Sequence, residues 1–434
     1  MTADQIGSLQ PQLAAFLEFF RPFFATEPGF KHLQRYLLGL LADLKRKSIE
    51  PIALAAGVPV RTLQEFLAFF VWDHLRISNR LQQLVMDQHG SEQAIGVIDA
   101  SGHAKRGEKT PGVQRQYCGE TGKIDNCIVG QHLLYTNNHP SNPFSCMLAS
   151  DLYLPKSWAD DRPRCREAGI PDDLEFRTKW QIAVDQVKQA IGNGVRFAWV
   201  TFDEDYGNIP AFWFELDAMG QRAIGEVPSN FKVWPKRPAC QSLQGPFAAK
   251  GVANICRYSP VFTEQSWQRI KVKEATRGPV IWEVKAARVH LVDTRSGRSQ
   301  PTDRLYWLLV ARHVETGEIK YFVSNAPANV TLEELLKAAF ARWHVEKWFE
   351  RSKQEVGLGA FEVRTYRSLI RHWLCCRLAM YFLAAATERL RGEKSEDHAG
   401  AGGRGGQHTG REDLEAVLAM VDGVGETMRV LSTA

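Results

Sequence analysis

Three residues late in the chain, Arg342, Glu346 and Lys353, are spaced four and then seven apart. On a helix turning about 100° per residue they fall within roughly 40° of one another, a carboxylate with cations on the same face. Val345, Phe349 and Val356 fall on the adjoining side, an apolar seam that would pin such a helix down. One reading is a plain surface helix with an Arg342–Glu346 pair. The other is chemistry: a metal-dependent phosphodiester site needs a rigid carboxylate beside groups that hold a phosphate. That reading requires more carboxylates from elsewhere. Two aspartates qualify, because each ends a stretch that reads as a buried strand.

The first is Asp99, at the end of the apolar run Ile95, Gly96, Val97, Ile98. The basic, Gly-containing stretch after it reads as a turn, so that a hairpin would bring Lys105 and Arg106 near Asp99 as DNA-binding residues. The second is Asp203, directly after Phe197 to Phe202 and ahead of a Gly207 turn into a helix over residues 209–219. Strand ends of this kind are where α/β folds place functional groups, although Asp203 or Asp205 could also simply cap a helix.

The elements that must position these residues fall into five segments. Residues 1–90 read as helical, with Pro22 breaking the first helix. Within them a short helix ends at Gly57, and a second opens with Arg61, Thr62 and Gln64 after Val58-Pro59. That is the outline of a helix-turn-helix, whose Arg61, Thr62 and Gln64 would face bases, or else of a helical hairpin. Residues 91–227 read as the first part of an α/β core, with 160–173 a polar connection. Residues 228–303 are rich in Lys, Arg, Pro and aromatic residues and partly alternating, a basic β-rich insertion. There Trp267, Arg269 and Lys271 have the mixture that suits nucleic acid, although a tryptophan in a strand is more often core. Residues 304–391 supply a hairpin about Glu315-Thr316-Gly317 and the closing helices, including one over 368–391. Residues 392–434 read as a flexible linker followed by a short helix.

Composition sets bounds. The chain has 434 residues, 44% hydrophobic and 24% charged, too long for one core and ordinary for a soluble protein. A formal charge of +5 permits a polyanionic partner. The eight cysteines form no CxxC pair, which argues against structural zinc. With no signal-peptide pattern, a cytoplasmic, nucleoid-associated location is expected, and no membrane partner. The apolar stretch 369–386 contains Arg371, His372 and Arg377 and reads as a packing helix.

Taken together, these motifs resemble the DDE-type transposases of bacterial insertion sequences, in the group with a Tyr, Arg, Glu, Lys signature. Arg342, Glu346 and Lys353 match three of its four positions, and Ala339 stands where the tyrosine belongs. IDASGHAKRG and TFDEDYG look like the motifs of the family's two aspartates, and the likeness covers about residues 90–390. The resemblance implies an α/β fold with an RNase H-like mixed sheet flanked by helices, an N-terminal helical domain and a β-rich insertion. It implies Asp99, Asp203 and Glu346 as ligands of two Mg²⁺ ions, for which Mn²⁺ can substitute, with Asp205 a weaker candidate for the second. Arg342 and Lys353 would grip DNA phosphates, and Trp267 a displaced base. The activity implied is cut-and-paste transposition by a homodimer on double-stranded DNA, joining inverted-repeat ends to target DNA. The alternatives are an RNase H-like nuclease without transposition and an inactive, transposase-derived DNA-binding protein.

Overall fold

The computed structural model describes residues 9–239, 248–275 and 278–401. The chain opens with α1 (Leu9–Glu18), α2 (Glu27–Leu41), α3 (Ile49–Ala55), α4 (Val60–Ala68) and α5 (His74–His89). As expected, Pro22 ends the first helix, in a short 3-10 turn over Arg21–Phe23. Thr26 caps α2 by accepting from the Gly29 N–H at 3.3 Å, and Asp73 caps α5 by accepting from Arg76 at 3.0 Å.

Next come β1 (Ile95–Ala104), β2 (Gln114–Cys118), β3 (Lys123–Thr136), β4 (Ser145–Tyr153), α6 (Lys156–Ala159), α7 (Arg162–Glu167) and α8 (Lys179–Gly192). The stretch expected to be a polar connection thus carries a helix, because Asp161 caps α7 through the Arg164 N–H at 3.1 Å and Pro163 suits its first turn. Then follow β5 (Trp199–Phe202), α9 (Glu204–Gly207), α10 (Pro210–Ala218), β6 (Ala223–Val227), β7 (Lys232–Trp234), β8 (Lys250–Gly251), α11 (Val252–Tyr258) and α12 (Pro260–Thr263). The chain continues through β9 (Gln268–Ala275), β10 (Gly278–Asp293), β11 (Gln300–Pro301), β12 (Tyr306–His313) and β13 (Ile319–Ser324). It finishes with α13 (Leu332–Phe340), α14 (Trp343–Glu355) and α15 (Tyr366–Ala401).

Two compact units result. One comprises residues 1–91, 100–196 and 345–434; the other comprises 92–99 and 197–344. The second is built on a mixed sheet. β1 pairs parallel with β5, and β5 parallel with β6. β13, β12, β10 and β9 then add antiparallel. α13 packs against β5, β6 and β9. This is the mixed, helix-flanked α/β arrangement expected from the sequence. Residues 228–303 carry β7 to β11, β-rich as expected. β10 is 16 residues long, buries nearly every second side chain in its latter half, and registers with β12 from Trp282↔His313 to Val289↔Tyr306.

The first unit holds the antiparallel β2–β3–β4 meander, the N-terminal helices and α15. α15 contains the one stretch among the described residues long and apolar enough to cross a membrane, and 83% of its most apolar window is buried inside the protein. Trp373, Leu374, Leu378 and Leu383 are at most 1% exposed there. The helix also runs on to Ala401, so it passes Gly392, where a linker was expected. The segment Glu393–Ala401 supplies Glu, Lys and Ala, good helix formers. The short C-terminal helix expected beyond it lies outside the described residues.

Candidate active site

The register of β1 on β5, Ile95↔Trp199 to Val97↔Thr201, has a constant offset. Asp99 lies two residues beyond Val97 on β1, which runs on to Ala104, and Asp203 directly follows Phe202, the last residue of β5. Asp203 leaves β5 as the cap of α9, its carboxylate accepting from the Asp205 N–H at 3.1 Å. The capping alternative is therefore real, and it coexists with an unusual charge state. Burial, and then the neighbouring Asp205 carboxylate, push the Asp203 pKa up to about 6, against the opposing pull of Arg342. The tight turn depends on Gly207, where a Cβ would lie 1.9 Å from the Glu226 carbonyl oxygen of β6.

Arg342 sits between α13 and α14, not on the helix itself, with Nη1 3.5 Å from Asp99 Oδ2 and both side chains largely shielded. α13 holds it there. Thr331 caps that helix through the Glu334 N–H at 3.2 Å, and the Thr201 hydroxyl of β5 donates to the Ala339 carbonyl at 3.4 Å. Ala339, in the place of the family's tyrosine, is buried. Phe340 beside it turns into the sheet, 4.7 Å from the Trp282 ring, and so offers no substitute for the tyrosine. Trp343, which the sequence reading passed over, is exposed next to Arg342, stacked on His344 at 4.2 Å with Lys273 Nζ 4.9 Å from its ring. Burial and Lys273 hold the His344 pKa down to about 4.

α14 is the helix expected to carry Glu346 and Lys353. Its seam is Val345, Trp348, Phe349 and Ser352, with Val356 buried just past the end; Trp348 was missed because it falls outside the assumed apolar stripe. Glu346 is exposed in the first turn and Lys353 half-buried in the last, where a cation meets the negative end of the helix dipole. Asp99, Asp203 and Arg342 belong to one compact unit, Glu346 and Lys353 to the other. Among the described residues, no three His, Cys, Asp or Glu side chains form a ready-made metal cage.

Lys105 is a correction. β1 runs on past Asp99 to Ala104 instead of turning back, and Lys105 spends its ammonium on the Gly359 and Phe361 carbonyls, each at 2.9 Å. Its Nζ lies 3.5 Å from the Phe361 ring centroid, and burial lowers its pKa to about 8. It is a structural lysine. Arg106 is exposed in the turn that follows.

The helix-turn-helix outline is present. α3 ends at Ala55, Gly57 takes a left-handed φ of 65°, and α4 begins at Val60. Arg61 and Gln64 are exposed and Thr62 half-buried; Arg61 pairs with Glu65 at 2.7 Å. On the outer face of β9–β10–β12, Trp267 is half-buried, with Arg312 Cζ 4.5 Å and Lys285 Nζ 4.9 Å from its ring. Arg269 and Lys271 are exposed on the same strand system, and Glu283 binds Arg269 at 3.2 Å and Arg312 at 2.5 Å. Lys285 and Arg312 were not legible as partners of Trp267, since only the strand register brings them to it.

Residues 20–279, more than half of the chain, match the family described as DDE superfamily endonuclease. The chain belongs to that family. A relative from Microchaete diplosiphon, named as a probable transposase for insertion sequence element IS701, is 28% identical over 220 residues. The match takes in 50% of this chain and 54% of that one, so the chain spans about half the length of this curated relative. A solved piggyBac transposase synaptic complex with hairpin DNA is 9% identical, with a TM-score of 0.43 over 94% of this chain and 73% of that one. That similarity is too distant to carry an argument.

Proposed function

We propose that this DDE superfamily endonuclease is a transposase that cuts double-stranded DNA at the inverted-repeat ends of an insertion sequence and joins those ends to target DNA. The observation that supports it most is that Asp99 on β1 and Asp203 just past the parallel strand β5 both interact with Arg342, while the Asp203 pKa is pushed up to about 6. Asp203 resists ionisation because it is buried beside the Asp205 carboxylate, which marks an acidic site. Its hard oxygen donors fit Mg²⁺ or Mn²⁺.

In this reading Asp99, Asp203 and Glu346 hold two divalent cations. When bound, such ions supply Lewis-acid stabilisation of the scissile phosphate and lower the pKa of water. The chain's own part is positioning. Arg342, fixed by the α13 turn, is placed to exchange Asp99 for a DNA phosphate once cations neutralise the carboxylates. Lys353 grips a second phosphate from the far end of α14. Arg61, Thr62 and Gln64 would read the ends, while Trp267, Arg269 and Lys271 bear on backbone or a displaced base, with Lys285 and Arg312 supporting the ring. A homodimer on paired ends and a nucleoid location complete the proposal.

The direct test is to incubate the protein with labelled DNA from its own locus, a target plasmid and Mg²⁺. Nicks at the element boundary and joined products are expected. Unspecific degradation without joining would instead favour a nuclease that does not transpose.

A further inference from the structure

The C-terminal end of α14 is held by a buried polar clamp that the reaction scheme above does not use. Lys47, in the link between α2 and α3, is only 8% exposed. Its ammonium donates to the Leu40 carbonyl, in the last turn of α2, at 2.8 Å. It also donates to the carbonyl of Glu355, the last residue of α14. Both carbonyls lie at helix ends, and one cation serves both. Beside it, His372 Nε2 lies 3.2 Å from the Gly357 carbonyl, while Nδ1 lies 2.8 Å from the Tyr36 hydroxyl of α2. With Nε2 protonated, the ring donates to Gly357 and accepts from Tyr36. Gly357 has a φ of 65°, and a Cβ there would lie 2.6 Å from Lys47 Cβ, so the chain is shaped around the lysine. Gly39 of α2 in turn lets Ile52 of α3 sit directly on it, since a Cβ there would be 2.3 Å from Ile52. Helices α3 and α4, the candidate end-reading pair, are therefore coupled to α14 through α2 and one ammonium.

We propose that Lys47 is a positioning residue for strand cleavage, tying the helix that carries Glu346 and Lys353 to the N-terminal helices. This rests on the reading of Glu346 as a site residue. Lys47→Met preserves length and apolar packing and takes the ammonium away from both helix-end carbonyls. The N-terminal end of α14 would then no longer be fixed by its C-terminal end.

The test compares Lys47→Met, Lys47→Arg and Glu346→Gln in the full chain, by hydrogen exchange and by Mg²⁺-supported cleavage of end DNA. Lys47→Met is expected to raise amide exchange across Val345–Glu355 at least tenfold and leave the β12–β13 hairpin unchanged. It should lower kcat at least tenfold with KM for DNA within twofold, and raise the Mg²⁺ concentration needed. Lys47→Arg should recover part of the rate. If Lys47→Met does not fold, Gly357→Ala is the second variant, displacing the lysine without removing its charge and expected to give the same pattern. Unchanged α14 exchange, or a rate loss that appears equally in KM, would overturn the proposal. Glu346→Gln separates the two claims: wild-type cleavage by it would end the site reading, while exchange in Lys47→Met would still decide the tether.

Discussion

Asp203 carries the clearest single-residue consequence. Its pKa in the folded chain is raised to about 6, whereas an unfolded aspartate loses its proton near 4. Between these values the native state binds more protons than the unfolded state, so this group makes stability fall as pH rises through that window. The penalty is fully present above about pH 6. Asp203→Asn removes it and should stabilise the metal-free protein at pH 7.5 by on the order of 1–2 kcal/mol, after allowance for partial solvent screening. The gain should vanish near pH 4. A urea titration at the two pH values checks this, and a variant less stable than wild type at both would contradict it. If Asp203 holds Mg²⁺ as proposed, the same shift makes the ion compete with a proton there below about pH 6.

At the scale of elements, α14 was legible because its spacing is local: four and seven residues define a helical face whatever surrounds it. The strand-end aspartates were legible for a similar reason, each closing a short apolar run. What sequence could not supply was where a strand stops. Ser101, Gly102 and His103 look like a turn, yet all three are buried and continue β1, so Lys105 was misread as a DNA contact when it is a tether for the segment after α14. Lys47 was invisible for the opposite reason, since its partners lie 7 and 308 residues away. The layer beneath α14 shows the same non-local character. His103 of β1, His132 of β3 and His372 of α15 are all buried, and the His132 ring lies 5.1 Å from Phe349. Burial holds their pKa values below the ordinary 6.5, to about 3 for His132 and about 4 for His372. Here the unfolded state binds more protons as pH falls below 6.5, so stability is lost on acidification. Each such histidine should cost about 2 kcal/mol between pH 7 and pH 5. A falling urea midpoint over that range, flattened in His132→Gln relative to wild type, is the expected result.

For the molecule as a whole, the central claim is the proposal that Asp99, Asp203 and Glu346 act as one metal-binding set. Family membership places the chain among DDE superfamily endonucleases. The assignment of Glu346 rests on its signature alone. If the three act together, removing any one charge leaves DNA binding in place, because phosphates are gripped by cations elsewhere. It abolishes chemistry, because a misplaced cation no longer meets the charge that develops in the transition state. The most direct measurement is therefore cleavage of end DNA in Mg²⁺ by Asp99→Asn, Asp203→Asn and Glu346→Gln, with affinity for the same DNA measured alongside. The account predicts affinity within a few-fold of wild type and no detectable cutting by any of the three, whereas cutting by Glu346→Gln at the wild-type rate would contradict it.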